Sequence, residues 1–103
     1  MKLTEAQREL ARHALGLPNK RRLSYRNHFV AGLGHSDYDV WFAMVEAKAA
    51  RMRNGNALTG GDPVFWLTTE GAQAALNRGE KLDREDFPLA DGLSTLEASR
   101  RAK

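Results

Sequence analysis

Two stretches of this 103-residue chain carry side chains that could do chemistry. The first is Arg51-Met-Arg-Asn-Gly-Asn56, preceded by Lys48, with no acidic residue between Ala47 and Gly61. Lys and Arg at this density suit a polyanion. Arg offers bidentate contacts to phosphate or to a guanine edge, and Asn54 and Asn56 can reach sugar or base. The second is Lys20-Arg-Arg22 with Arg26, in a window from Leu10 to Ser36 that holds no acid and all three histidines, His13, His28 and His35. The candidate binding set is therefore Lys20, Arg21, Arg22, Arg26, Lys48, Arg51, Arg53 and Asn54. If about five of them met duplex phosphates, affinity would fall with salt at a log–log slope of roughly −4 to −5.

Other chemistry has weaker footing. His35-Ser-Asp-Tyr-Asp39 with His28 offers nitrogen and oxygen donors to a metal, but it has no paired second half. Asp37 and Asp39 are also what the first turn of a helix favours. Ser24 and Ser36 have histidines nearby in sequence yet lie in no nucleophile turn. Gly32-Leu-Gly34 precedes no strand–helix unit that would cradle a phosphate. No catalytic residue, metal site or cofactor is expected, and the chain reads as a binding protein.

The elements that must position these side chains are legible in outline. Thr4-Glu-Ala-Gln7 is a capping box, and Leu3, Leu10, Ala14 and Leu17 give one apolar stripe, so a helix spans about 4–15. Gly16 closes it and Pro18 forbids its continuation. Residues 18–35 lack clean periodicity, and a short helix or an extended segment is expected around 25–30. A main helix should run from about Asp37 to Arg51 with Ser36 as its cap. Trp41, Met44, Val45, Ala49 and Met52 would form its buried face, and either Trp41 or Phe42 would meet Phe29. Asn54-Gly55 and Gly60-Gly-Asp-Pro63 mark turns, and Val64-Phe-Trp-Leu67 is a strand whose partner comes from 50–53 or 57–59. Thr68 caps a helix over about 69–78, with Gly79 as its stop. Leu82 and Phe87 are positioned to pin the following segment, and Ser94-Thr-Leu-Glu97 could open a last short helix.

Helix, basic hairpin, strand and Thr-capped helix in that order resemble the C-terminal half of a winged-helix domain of the small bacterial regulator type. The resemblance covers Val45 to Leu76. Phe65-Trp-Leu-Thr-Thr-Glu-Gly71 matches the closing pattern aromatic-x-Leu-Thr-x-x-Gly, and Met44-Val-Glu-Ala-Lys48 matches the end of the recognition helix. Lys48 and Ala49 stand where that family commonly has Gly-Leu. The phrases Tyr25-Arg-Asn-His-Phe29 and Gly34-His-Ser-Asp-Tyr38 are similar to small proteins of tailed phages and prophages.

These resemblances imply a small α+β winged-helix-like domain over 1–79, with three main helices and a two- to three-stranded hairpin. A C-terminal extension over 80–103 would be partly docked or disordered. They also imply two partner classes: DNA, with the helix at Asp37 as recognition element, or an acidic surface of a host protein complex. In the latter case Tyr25, Phe29 and Tyr38 beside Arg22 and Arg26 would supply the aromatic and Arg anchors of an interface.

Size and composition bound both readings. A chain this short buries about 60–70% of its unfolded surface and builds one core. It has no cysteine, hence no disulfide, thiolate metal site or cysteine nucleophile, which fits a reducing compartment. No apolar run approaches the roughly 20 residues of a membrane span, and the N-terminus lacks a signal-peptide core, so a cytoplasmic location is expected. The net charge is +3, and from Asn77 onward six basic residues balance six acidic ones, so the excess lies in the first 61 residues. Many winged-helix regulators pair through terminal helices, and a homodimer is left open.

Overall fold

The computed structural model describes residues 1–88. They form a winged-helix-like α+β domain with the element order α1 (Glu5–Leu15), β1 (Phe29–Val30), α2 (Ser36–Glu46), β2 (Ala50–Arg53), β3 (Val64–Leu67) and α3 (Thr69–Ala74). A single 3₁₀ turn, Ala57–Thr59, lies between β2 and β3. The strands make one antiparallel sheet in the order β1-β3-β2, with Phe29 opposite Phe65, Arg51 opposite Trp66 and Arg53 opposite Val64. No described helix is long and apolar enough to cross a membrane. The segment proposed to begin at Ser94 lies outside the described residues.

The capping box at Thr4 forms as its sequence implies. The Gln7 N–H donates to Thr4 Oγ1 at 3.1 Å and the Thr4 N–H donates to Gln7 Oε1 at 3.0 Å. At the other end Gly16 takes φ 79°, and the Gly16 and Leu17 N–H groups close back on His13 and Arg12 carbonyls. The loop that follows satisfies the last carbonyls of α1: Tyr25 N–H donates to Leu15, His28 N–H to Ala14, and Arg26 to His13. Residues 18–28 and 31–35 contain no helix; only α2 lies between β1 and β2, and a helix-turn-helix pair is not completed. Of the two expectations for 25–30, the extended one holds.

Three boundaries differ from those read in the sequence. His35, not Ser36, caps α2; its Nδ1 accepts from the Asp37 N–H at 3.2 Å. The main helix ends at Glu46 rather than Arg51, because Lys48 turns left-handed at φ 64° and the chain enters β2. Ala49 and Met52 thus belong to the strand side of the junction, although Ala49 is buried as expected. The third helix ends at Ala74, well before Arg78. The Ala75 carbonyl, which a continuing helix would give to the fourth N–H onward, instead accepts from Arg12 Nη1 at 3.0 Å.

The core lies on one face of the sheet. Trp41, Phe65, Leu15, Met44 and Leu67 are its largest fully buried side chains, and Ala11, Ala14, Ala72 and Ala75 let the helices approach closely. Trp41 stacks on Phe65 at 5.6 Å and meets Phe29 at 5.4 Å, so it is Trp41 rather than Phe42 that reaches the segment around Phe29. Leu82 and Phe87 are buried in the same cluster. One buried ion pair ties this segment to α1: Arg12 Nη1 lies 2.5 Å from Glu80 Oε1, and Nη2 lies 2.8 Å from Oε2. The bidentate Arg12 guanidinium and the Asn77 N–H hold the Glu80 carboxyl well down, at about 2, against a cost of burial.

Candidate nucleic-acid interface

The junction between α2 and β2 positions the first group of cations. Ala49 N–H donates to Met44 O at 2.8 Å and Lys48 N–H to Val45 O at 3.0 Å, the paired bonds that usually accompany a glycine at the turning residue. Here the turning residue is lysine. Among the described residues it is one of two non-glycine residues with left-handed φ, and the other is Arg22, at φ 54°. Both belong to the candidate set. Such conformations persist where surrounding bonds over-determine them. For Lys48 those bonds come from Thr68. Its hydroxyl donates to the Lys48 carbonyl at 2.9 Å, its N–H donates to the Ala49 carbonyl at 3.0 Å, and the same hydroxyl accepts from Gly71 N–H as the cap of α3. A Cβ at Gly71 would lie 2.0 Å from the Ala49 carbonyl oxygen. The residues of Leu67-Thr-Thr-Glu-Gly71 thus clamp the Lys48–Ala49 turn.

Beyond this turn the alternation of β2 separates two faces. Ala50 and Met52 face the core; Arg51 and Arg53 are exposed on the other side. On β3, Phe65 and Leu67 belong to the core cluster and Val64 and Trp66 do not. Arg51, Arg53, Val64 and Trp66 therefore share the outer face, joined by exposed Val30 from β1. Lys48, Arg51 and Glu70 line one recess of about 480 Å³ with Val45, Ala50 and Thr68. Among the described residues the side chains of Lys48, Arg51 and Arg53 make no ion pair.

The wing itself is not the two-residue turn that Asn54-Gly55 suggests. Neither residue has positive φ, and the loop runs on to Pro63 around the 3₁₀ turn. Asn56 and Thr59 cap that turn reciprocally: Leu58 N–H donates to Asn56 Oδ1 and Asn56 N–H to Thr59 Oγ1, both at 2.9 Å. Asn54 lies exposed directly after Arg53.

The second basic group is elsewhere. Lys20, Arg21 and Arg22 sit on an exposed turn beside residues 79–81; the Arg22 carbonyl accepts from Lys81 N–H, and Leu23 bridges Lys81. Arg26 is committed to α1. Its Nη2 donates to the His13 carbonyl at 2.8 Å, and its guanidinium lies 5.3 Å from the Tyr25 ring centroid. With His13, His28, Phe29 and Val30 it lines a smaller recess at the β1 edge. The eight candidate residues therefore fall into three places rather than one surface. Arg51 and Arg53 lie on β2, with Lys48 just before it and Asn54 just after it; β3 and β1 separate this group from Arg26, and Lys20–Arg22 border the 79–81 segment.

The remaining readings also meet the structure here. His35 Nδ1 is taken up by its capping bond and lies 3.8 Å from Asp37 Oδ2. Helix α2 carries Asp37, Asp39 and Glu46 and no Lys or Arg. A helix with three acids and no base would be repelled along a major groove. Of the aromatic anchors, Phe29 packs on His13 and Trp41, and Tyr38 packs on Phe65 and Phe42, whereas Tyr25 is exposed. Sequence reasoning missed Trp66, although period-two alternation from buried Phe65 was enough to place it opposite Arg51 on the outer face. No protein-family model, curated protein or solved structure matches this chain.

Proposed function

We propose that this protein binds nucleic acid, without catalysis, through the basic strand β2 and the start of its wing. One observation carries the reading: Arg51 and Arg53 project from the outer face of the sheet, beside Lys48, with no carboxylate paired to any of them among the described residues. Cations that a fold leaves unpaired and closely spaced favour a polyanion through counterion release. The acidic α2 takes no part. The three cations on one surface imply a shallower salt dependence than the eight scattered candidates would, with a log–log slope of about −3 on duplex and about −2 on single strands. Fluorescence anisotropy of a labelled mixed-sequence oligonucleotide at 50 and 200 mM salt tests this. Micromolar binding that weakens with salt and is lost in Arg51→Ala/Arg53→Ala supports the reading; a flat salt response, or binding indifferent to those substitutions, removes it.

A second reading, docking on a host protein, is favoured by a different observation. Leu58 at the wing tip is 96% exposed and Leu33 is 82% exposed. Both lie toward the end of the sheet where a Cβ at Gly32 would touch the Asp62 carboxylate. Paired exposed leucines on two loop tips suit an apolar partner surface. That reading predicts a defined complex that survives Arg51→Ala/Arg53→Ala and is lost in Leu33→Ser/Leu58→Ser.

A further inference from the structure

We infer that the outer face of the sheet is a stacking platform for single-stranded nucleic acid, with Trp66 under a base and Arg51 and Arg53 against neighbouring phosphates. The inference rests on the nucleic-acid reading and narrows its substrate class. Trp66 is the largest apolar side chain on this face. It stands apart from the core cluster, which holds its strand neighbours Phe65 and Leu67, and it keeps part of its surface open to solvent. The register sets it directly across from Arg51, one strand spacing of about 5 Å away. Arg51 and Arg53 are about 7 Å apart along β2, a step that suits successive phosphates of an extended strand. Continuing the antiparallel register by one residue past Phe29 brings His28 level with Trp66 on the opposite side. The order across the sheet is thus cation, indole, imidazole, with exposed Val30 on the same face and Val64 buried beside it.

This arrangement discriminates between forms of nucleic acid. In a duplex the faces of the bases are covered by their neighbours, so an indole on a flat sheet gains nothing from them. A single strand offers every base face, and stacking on an aromatic ring tolerates any sequence. The one helix between β1 and β2 is acidic and cannot serve a major groove, which removes the usual advantage of duplex.

The test uses the full chain and one mixed-sequence oligonucleotide, offered single-stranded and as its duplex, at 50 mM salt, read by anisotropy and by tryptophan emission. Trp41 is wholly buried, so quenching on binding reports Trp66. The expected result is tighter binding of the single strand with quenched emission. Trp66→Leu should weaken single-strand binding about tenfold or more, with little effect on duplex, and Trp66→Phe should retain most of the affinity. Equal or tighter duplex binding, or unquenched emission with Trp66→Leu unaffected, overturns the platform. Provided binding still depends on Arg51 and Arg53, the broader reading then survives. Absence of binding to either probe overturns both. Should Trp66→Leu fail to fold, quenching in the unaltered protein and the Trp66→Phe affinity decide.

Discussion

Helices α1 and α2 end in the same hydrogen-bond pattern and differ in the residue that turns. At the end of α1, Gly16 takes φ 79° while its own N–H and that of Leu17 fold back on His13 and Arg12; at the end of α2, Lys48 takes φ 64° with the equivalent bonds to Val45 and Met44. Glycine enters this region freely, whereas a residue with a Cβ is strained there by roughly 1 kcal/mol. The two ends are also braced differently. The α1 end is held by the buried Arg12–Glu80 pair and by the loop that meets its carbonyls; the α2 end is clamped by Thr68 and Gly71. The difference teaches where this fold places strain: the neutral turn is relaxed, and the turn that delivers a cation beside Arg51 is not.

The largest effect should come from removing the brace of the α1 end. Arg12→Ala leaves Glu80 buried without its partner and the Ala75 carbonyl without a donor, so a loss of about 3–5 kcal/mol is expected in urea unfolding. The same pair gives a pH signature. Glu80 titrates at about 2 in the folded chain, below the ordinary carboxyl value of 4.5. Its contribution is fully present above about pH 5 and disappears as pH falls toward 2, because the unfolded state then takes up the proton first. Stability measured down this range should fall more steeply in the unaltered protein than in Glu80→Gln, which lacks the titrating carboxyl.

Next in size is the clamp on the α2 end. Gly71→Ala sets a methyl 2.0 Å from the Ala49 carbonyl oxygen, a backbone atom that cannot swing aside. A cost of about 3 kcal/mol is expected, at the upper end of overpacking effects. Gly16→Ala should cost less, about 1–2 kcal/mol. Its Cβ meets the ring of Tyr25, an exposed side chain that can swing aside at the cost of its contact with the Arg26 guanidinium, so the penalty is mainly that of left-handed φ. A Gly16→Ala cost as large as that of Gly71→Ala would show that Tyr25 is held more firmly than its exposure implies.

The same two turns show how far the sequence could be read. Gly16 before Pro18 announces a stop, and the Thr4 capping box announces a start, so α1 is legible to the residue. The stop at Lys48 is not. Lysine is a good helix former, and Ala49 and Met52 continue a three- and four-residue spacing, so local preference extends α2 into what is β2. Tertiary bonds from Thr68, twenty residues away, decide the matter. The end of α3 is hidden for a similar reason, since the donor that diverts the Ala75 carbonyl is Arg12 on another helix. Within the candidate site, Lys48, Arg51 and Arg53 are found as a run because β2 keeps them local. The separation of Lys20–Arg22 and Arg26 from that run depends on sheet order, which charge spacing does not encode.

The sharpest use of the comparison is to make the two turns alike. Lys48→Gly replaces a strained residue by one that accepts φ 64° and leaves the Thr68 and Gly71 clamp untouched. Folding stability should rise by about 0.5–1 kcal/mol, a gain of roughly 4–8 °C in Tm for each kcal/mol in a domain this size. If Lys48 meets a phosphate, the same substitution should weaken oligonucleotide binding severalfold and reduce the salt slope by about one. A control separates charge from conformation: Lys48→Gln keeps the Cβ and the strain but removes the cation. It should lose affinity like Lys48→Gly without gaining stability. Two variants that part in stability and agree in binding would make the strain at Lys48 a consequence of where its charge is needed. A stable Lys48→Gly with full affinity would instead make the lysine incidental and leave binding to Arg51 and Arg53.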